Sequence, residues 1–515
     1  MGKLFGTDGI RGVANETLTC DLAYRVGQAA AISLSKKGGR KPSVVIGKDT
    51  RISSDMLEAA LIAGLTACGC DVVRLGVIPT PGVAYLTVNT HADAGIVISA
   101  SHNPFEHNGI KMFSAEGFKL SDALEEEIES LILQTEPLPV KTHAALGQVV
   151  DGRLLVDRYL DHLASTVAPL PRMRVLIDCA NGAASATAQK LFSRFDLNFD
   201  ILNDMPDGIN INDQCGSTHL KQLSERVREG DYALGIAFDG DADRCLAVDE
   251  NGAEIDGDQI MAICADVLTR QGKLHGGFVA TVMSNIGLHK YCAERGLKLL
   301  CASVGDRNVL EMMQREGMAL GGEQSGHIIF LEHMTTGDGQ LAALQLLSIL
   351  AQSGKKASEL ASAVTHYPQV LINVRVGGND EKKAIMESAA LREETQKAEA
   401  MLGGNGRVLV RASGTEPLIR VMVEAGSEQT ARETAELLAH AVETTKKRWY
   451  INLYLFTIDN PAGFAYNDVH RRTPSCVPVL HRASCFCDAS LVRSLLCVVM
   501  KRSQQDDTAT PANAA

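Results

Sequence analysis

Asp239, Asp241 and Asp243 alternate with Gly240 and Ala242 directly after an apolar run. In extended backbone alternate side chains face one way, so the three carboxylates are expected to converge. Without a counter-charge they would repel and raise one another's pKa. A hard divalent cation removes the conflict, and Mg²⁺ with a phosphate oxygen in its shell suits an all-oxygen donor set. Ser101 ends a second apolar run, Gly95-Ile96-Val97-Ile98-Ser99-Ala100-Ser101. A hydroxyl in a short loop at the end of a strand is both held and accessible, as a nucleophile must be. His102 and Asn103 add polar groups beside it, Pro104 stiffens the loop, and Lys111 follows as a nearby cation.

Two further loops complete the set. Arg411-Ala412-Ser413-Gly414-Thr415-Glu416-Pro417 has small residues whose N–H groups can surround an anion, with Ser413 and Thr415 as hydroxyl donors. Arg411 and Arg420 offer planar forks for phosphate. Gly322-Glu323-Gln324-Ser325-Gly326-His327 places Glu323, Ser325 and His327 where sugar hydroxyls can be bound. In Gly6-Thr7-Asp8-Gly9-Ile10-Arg11-Gly12, Arg11 is the residue whose chemistry suggests phosphate contact. A hydroxyl, a metal cage, a sugar contact and an anion cradle are the parts needed to move a phosphoryl group on a small polar substrate. Rival readings fail on residue order. An EF-hand starting at Asp239 would need glycine where Arg244 stands. The Ser101 loop lacks the GxSxG elbow, and no stretch has the GxxxxGK[ST] order of a Walker A loop.

The elements that must position these loops alternate. Strands are expected at Ser43–Ile46, Val72–Leu75, Ala94–Ile98, Val175–Asp178, Leu234–Phe238, Phe278–Val282, Lys298–Ala302 and Met318–Leu320. Helices fall between them, from Asp21 to Lys37, from Ser54 or Asp55 to Cys68, and from Asp122 to Leu133 behind a capping box with Glu125. Such βα alternation implies largely parallel sheets covered by helices. After Tyr367 the order changes to strand, one helix over Glu381–Glu399, two strands, and a last helix from Ser427 to Thr445, a small α+β domain. The expected segments are 1–153, 154–254, 255–366 and 367–446, with one polar loop each, meeting at one cleft.

Bulk properties exclude several classes. A net charge of −12 over 515 residues argues against a nucleic-acid binder. No apolar run approaches the roughly 20 residues of a membrane span, and with the first polar loop starting at Gly6 no signal peptide is expected. The 13 cysteines have no zinc spacing and read as reduced thiols in a cytoplasmic protein. From Lys447 the composition breaks. The tail 447–515 holds the only Trp, Trp449, and Cys476, Cys485, Cys487 and Cys497. It is expected to be disordered and dispensable.

Taken together, the loops at Ser99–Pro104, Asp239–Arg244, Gly322–His327 and Arg411–Pro417 resemble the signatures of the α-D-phosphohexomutase superfamily. The opening Phe5–Gly12 and Gln324 are similar to its amino-sugar branch. The resemblance covers about residues 1–446. It implies three related α/β domains with mixed, largely parallel sheets, and a smaller C-terminal α+β domain of TATA-box-binding-protein-like topology. It implies a hexosamine phosphate substrate, with interconversion of glucosamine 6-phosphate and glucosamine 1-phosphate on the route to UDP-N-acetylglucosamine. Ser101 would be carried as phosphoserine, with one Mg²⁺ per subunit held by Asp239, Asp241, Asp243 and the Ser101 phosphate. Arg11 and Arg244 would face the transferred group. Lys111 and His327 would handle protons, and His102 belongs to the catalytic loop without forming a Ser–His relay. Arg411, Ser413, Gly414, Thr415 and Arg420 would hold the phosphate that is not reacting, and Glu323 and Ser325 the sugar hydroxyls. A phosphomannomutase or phosphoglucomutase, or a metal-dependent sugar phosphatase, is the alternative, and a homodimer is left open.

Overall fold

A computed structural model of the chain describes residues 4–6, 8–36, 40–414 and 416–459. The fold divides into two compact units between His366 and Tyr367.

The first unit repeats one sheet plan three times. The first sheet contains β1 (Ile10–Val13), β2 (Ser43–Lys48), β3 (Asp71–Val77), β4 (Ala94–Ile98), β5 (His107–Ser114) and β6 (Val149–Asp151), in the order β1-β5-β4-β2-β3-β6. The second contains β7 (Arg174–Asp178), β8 (Asn198–Leu202), β9 (Leu234–Phe238), β10 (Cys245–Asp249) and β11 (Glu254–Ile255), in the order β11-β10-β9-β7-β8. The third contains β12 (Gly277–Thr281), β13 (Lys298–Ala302), β14 (Leu320–Gly322) and β15 (Ile328–Phe330), in the order β13-β12-β14-β15. The common core is β3-β2-β4-β5, β8-β7-β9-β10 and β13-β12-β14-β15. In each, three strands are parallel and the fourth returns antiparallel. The parallel strands β4 (AGIVI) and β9 (LGIAF) are buried along their whole length, as strands covered on both faces must be. The three sheets and their helices share a core that runs from Val45 through Tyr159, Phe238 and Phe278 to Val364.

The second unit has one antiparallel sheet, β16 (Gln369–Arg375), β17 (Gly406–Ala412) and β18 (Leu418–Ala425), in the order β16-β18-β17. Its own core joins Val370, Ile385, Leu391, Ile419 and Val423 to Ala435, Leu438 and Val442 of the last helix.

Several local expectations are corrected. The helix Ile52–Ala67 starts behind Arg51 without a side-chain cap, so neither Ser54 nor Asp55 caps it. Ser121, not Asp122, precedes the helix Asp122–Leu133, and the capping box is not formed. The expected helix 381–399 is two helices, Asn379–Met386 and Ala389–Leu402, because Ser388 adopts extended backbone between them. The last helix, Glu428–Asp459, continues well past Thr445. No Gly or Pro stands between Gly426 and Pro461 to stop it. The break in composition at Lys447 is therefore not a break in structure, and residues 447–459 are helical rather than disordered. The remainder of the tail, including Cys476 to Cys497, lies outside the described residues.

Candidate active site

The Ser101, Asp239 and Glu323 loops occupy the same place in the repeated plan. Each is the turn of the antiparallel hairpin, β4–β5, β9–β10 and β14–β15 respectively. Equivalent turns of the first unit are thereby brought to one site, and Ser101, 138 residues away in sequence from Asp239, donates its Oγ–H to Asp239 Oδ2 at 2.6 Å.

Ser101 is buried and sits at φ +52°, in the left-handed region. For a residue with a Cβ that conformation costs roughly 1–2 kcal/mol. The surroundings hold it there. Its N–H donates to Ser99 Oγ at 3.0 Å. Its carbonyl accepts from Arg51 Nη2 and from Asn212 Nδ2, both at 3.0 Å. The same two donors reach the carbonyl of Asn103, at 2.5 and 3.1 Å. Arg51 comes from the end of β2 and is oriented by a buried ion pair with Asp49. Asn212 follows the second sheet's β8. A Cβ on Gly240 would lie 2.6 Å from the Ser101 carbonyl oxygen, so only glycine lets the two turns close.

The three aspartates converge, with ligand oxygens all within 4.8 Å of one another. The geometry differs from the extended alternation expected. Ala242 N–H donates to the Asp239 carbonyl at 3.0 Å, and Ala242 lies at φ +55°, so a tight turn gathers the carboxylates. Burial first, then Asp243 and Asp241, push the Asp239 carboxyl well above its usual range. Asp241 Oδ2 accepts from Thr80 Oγ1 at 2.6 Å and from Lys111 Nζ at 2.9 Å. Burial raises the Asp243 carboxyl too, but Lys111, His327 and Arg244 overcome it and hold it low. Asp241 Oδ1 and Asp243 Oδ1 are buried with no hydrogen-bond partner. Two orphaned carboxylate oxygens beside a third buried carboxylate fit a small, hard divalent cation.

Lys111 lies on β5, 97% buried by its 3% side-chain exposure, and contacts Asp8 at 3.0 Å as well as Asp241. Burial disfavours its charge, yet Asp241, Asp8 and Asp243 outweigh burial and keep it protonated above the usual lysine range. Asp8 also holds Arg11 and Lys119. Burial raises the Asp8 carboxyl, and Lys111, Lys119 and Arg11 together bring it well below its ordinary value. Arg244 donates its backbone N–H to Asp239 Oδ1 at 3.2 Å, and its Nε lies 3.9 Å from Asp243 Oδ1. His102 Nδ1 is 3.4 Å from Ser101 Oγ. Burial, then Arg244 and Arg11, push that imidazole down to about 4.

His327 faces Gly337 with one nitrogen and Asp243 with the other. Burial opposes its protonation, while Asp243, Asp306 and Glu323 favour it and raise it to about 9. Gly337 N–H nevertheless donates to Nε2 at 3.1 Å, and an imidazolium has no lone pair there to accept. The hydrogen bond decides for the neutral ring, with Nδ1 turned to Asp243 Oδ2 at 3.6 Å. A Cβ at position 337 would meet the ring at 2.5 Å, so Gly337 is what lets the imidazole seat. Glu323 accepts from Gly305 N–H at 3.1 Å, and Ser325 is exposed at the tip of its turn.

The fourth loop belongs to the second unit and is the β17–β18 turn. Arg411 and Arg420 are direct cross-strand partners. Like charges so placed destabilise a sheet unless an anion joins them. Burial and then Arg420 lower the Arg411 pKa. Arg411 makes no ion pair among the described residues, and Arg420 Nε is buried without a partner while Nη2 holds Glu416 at 2.8 Å. Ser413 is buried and its Oγ accepts from Glu416 N at 3.2 Å. Gly414 faces open space, and Thr415 lies outside the described residues.

Sequence reasoning missed Asp8, Asp49, Arg51, Thr80 and Asn212. Asp49 and Arg51 carried a signal, since they follow β2 in the same strand-then-polar-loop pattern as Ser101. Asn212 carried none, because it lies in an irregular stretch without periodicity.

Comparison with known proteins agrees with this geometry. Family models of phosphoglucomutase/phosphomannomutase match in chain order: α/β/α domain I over residues 2–138, domain II over 157–252, domain III over 256–367, and the C-terminal domain over 371–441. The chain belongs to the phosphoglucomutase/phosphomannomutase family, the α-D-phosphohexomutases. Within it, the chain is 51% identical over 446 residues to the phosphoglucosamine mutase of Acetivibrio thermocellus, covering 86% of this chain and 99% of that one. It is 54% identical over 427 residues to the phosphoglucosamine mutase of Moorella thermoacetica, covering 82% and 95%. Among solved structures, a phosphoglucomutase/phosphomannomutase family protein from Burkholderia thailandensis superposes with a TM-score of 0.71 at 24% identity, over 86% of this chain and 97% of that one. The N-acetylphosphoglucosamine mutase of Aspergillus fumigatus, solved with GlcNAc-6P and magnesium, gives a TM-score of 0.64 at 20% identity, over 86% and 96%. These two share the fold. Among the described residues no helix is long and apolar enough to cross a membrane, and Cys20 to Cys301 are free thiols.

Proposed function

We propose that the chain interconverts glucosamine 6-phosphate and glucosamine 1-phosphate through a phosphorylated Ser101 and a 1,6-bisphosphate. The observation that carries this reading is the Ser101 hydroxyl, 2.6 Å from Asp239, at the edge of three buried carboxylates. The substrate comes from the relatives' identity of about half over nearly their whole length.

The steps balance. The phosphoryl group of phosphoserine 101 passes to the C1 hydroxyl of glucosamine 6-phosphate, the P–Oγ bond breaks, and the hydroxyl proton leaves. The bisphosphate turns over and returns its 6-phosphoryl group to Ser101, releasing glucosamine 1-phosphate. The left-handed turn fixes the position of Ser101, as an oxygen that must both give and receive the phosphoryl group requires. Asp239, Asp241 and Asp243 would hold Mg²⁺, which when bound offsets the charge of the phosphoryl oxygens. Arg11 and Arg244 stabilise those oxygens, with Arg11 aimed by Asp8. Lys111, kept charged among carboxylates, adds a positive charge and is the candidate for donating a proton to a leaving oxygen. His327 is a second candidate for proton handling through Nδ1, which lies 3.6 Å from Asp243 Oδ2, while Nε2 is taken by the Gly337 N–H. Arg411, Ser413, Gly414, Thr415 and Arg420 grip the phosphate that is not reacting, and Glu323 and Ser325 face sugar hydroxyls.

The test is a product assay by phosphorus NMR on glucosamine 6-phosphate, glucose 6-phosphate and mannose 6-phosphate, primed with the matching bisphosphate. The expected result is fastest formation of glucosamine 1-phosphate, lost in Ser101→Ala. Free phosphate as the main product would mean a phosphatase. Faster turnover of glucose or mannose phosphate would overturn the substrate assignment.

A further inference from the structure

The last helix, Glu428–Asp459, extends beyond residues 371–441, where the C-terminal-domain family model matches. The extension makes a specific contact. Tyr450 donates its hydroxyl to Glu381 Oε2 at 2.9 Å. Glu381 is 2% exposed on the helix Asn379–Met386, and the same oxygen accepts the backbone N–H of Gly377. The next residue, Lys382, is 8% exposed and points into the anion turn. Its Nζ donates to the carbonyls of Ser413, at 2.9 Å, and Glu416, at 3.2 Å.

Those two carbonyls bracket residues 414 and 415. Drawing the Ser413 carbonyl onto the ammonium turns the Gly414 N–H, trans to it in the same planar peptide, away from Lys382. That is the arrangement an anion needs. Lys382 also adds a third positive charge behind the Arg411–Arg420 pair. A buried ammonium with backbone carbonyl partners is expensive for a purely structural tie, because neutral donors would serve. A dianionic ligand in front of the turn makes the charge useful.

We propose that Lys382 and Tyr450 are positioning residues of the phosphate turn. Tyr450 seats Glu381 and its helix, Lys382 holds the turn in its anion-receiving form, and the last helix as far as Tyr450 is a working part of the second unit. This rests on the reading that the turn binds the sugar phosphate's non-reacting group. It also replaces the expectation that everything after Lys447 is dispensable.

The experiment compares Lys382→Met, Tyr450→Phe, their double variant and Arg411→Ala in the full chain. Readouts are kcat, KM for glucosamine 6-phosphate, the inhibition constant of inorganic phosphate, and Tm. Lys382→Met should raise KM and the inhibition constant about tenfold with kcat within about twofold, the size of one lost charge-assisted hydrogen bond. Tyr450→Phe, which removes a single oxygen, should move both the same way by roughly two- to threefold. The double variant should be no weaker than Lys382→Met alone, since both act through one turn. If Arg411→Ala raises KM while Lys382→Met and Tyr450→Phe do not, the inference is overturned and the phosphate turn stands. A change in Tm without a change in KM overturns it equally. If Arg411→Ala leaves KM and phosphate inhibition unchanged, the phosphate-turn reading itself fails.

Discussion

The Ser101 turn and the Ser413 turn are both hairpin turns, and they are finished in opposite ways. The first is buried, left-handed at its key residue, and held by Arg51 and Asn212 on the same two carbonyls. The second opens at Gly414 to empty space and carries two arginines whose charges lack a full set of partners. Phosphoryl transfer needs its oxygen within a fraction of an ångström, so the transfer turn is over-determined. Gripping a phosphate that must let go and be replaced by another needs charge and donors, not rigidity. In the proposed reaction the difference is a division between placing and gripping.

The comparison breaks most visibly at the aspartates. Asp241→Asn should reduce turnover by at least about a thousandfold if the carboxylates act on the phosphoryl group, and chelation of the wild-type protein should do the same. Calorimetry should show weakened Mg²⁺ binding with the Tm little changed. Metal-independent turnover would remove the cage from the account.

A sharper test lies in the clamp. Arg51→Met should lower kcat about a hundredfold, the usual effect of misplacing a reacting atom by about 1 Å, with KM nearly unchanged. Asn212→Ala should cost much less, because Arg51 still reaches both carbonyls. Equal losses in KM from either variant would mean that this turn grips as well as places.

The gripping side predicts a different failure. Arg420→Ala removes a charge-assisted contact, roughly 1.5–3 kcal/mol. It should release bisphosphate during turnover, leave Ser101 progressively unphosphorylated, and regain activity when glucosamine 1,6-bisphosphate is added. A slow variant that leaks nothing and gains nothing would take Arg420 out of the phosphate site.

The smallest effect concerns what burial costs. Asp338 caps the helix Gly339–Ser353, accepts from Tyr159 at 2.8 Å, and that helix's Gly339 N–H holds the Ala242 carbonyl at 3.0 Å. Burial raises the Asp338 carboxyl to about 6, although Leu341 N–H and Tyr159 oppose it. A raised carboxyl binds its proton in the folded state where the unfolded chain has released it. Its contribution to stability is therefore greatest at low pH and falls between about pH 4 and 6. The Tm of Asp338→Asn relative to wild type should rise across that window. A difference independent of pH would show that Asp338 stays ionised throughout.

Much of the transfer site was legible because its residues lie in short turns after fully apolar strands. Ser101 and the three aspartates announce themselves by type and spacing. Their clamp is only half visible: Arg51 stands in a polar stretch after β2, as Ser101 does after β4, while Asn212 lies in an irregular segment without pattern, and both act through backbone carbonyls. The parallel strands were legible from unbroken apolar runs such as AGIVI and LGIAF. That the Ser101 turn belongs to an antiparallel hairpin was not, because β5 (His107–Ser114) mixes Asn108, Gly109 and Lys111 into its sequence and reads as loop. His327 reads as a proton carrier from its type, and the Gly337 N–H contact that occupies its Nε2 leaves no trace in the sequence around it. The extent of the last helix was hidden by a change in composition that helix propensity does not register.

Placing and gripping separate most directly in one measurement: phosphopeptide mapping of Ser101 together with released bisphosphate during a single turnover, in wild type, Arg51→Met and Arg420→Ala. The predicted result is phosphate on Ser101 in all three at the start, slow transfer without leakage in Arg51→Met, and normal transfer with leakage in Arg420→Ala. Phosphate found on another residue, or the same leakage from both variants, would contradict the account.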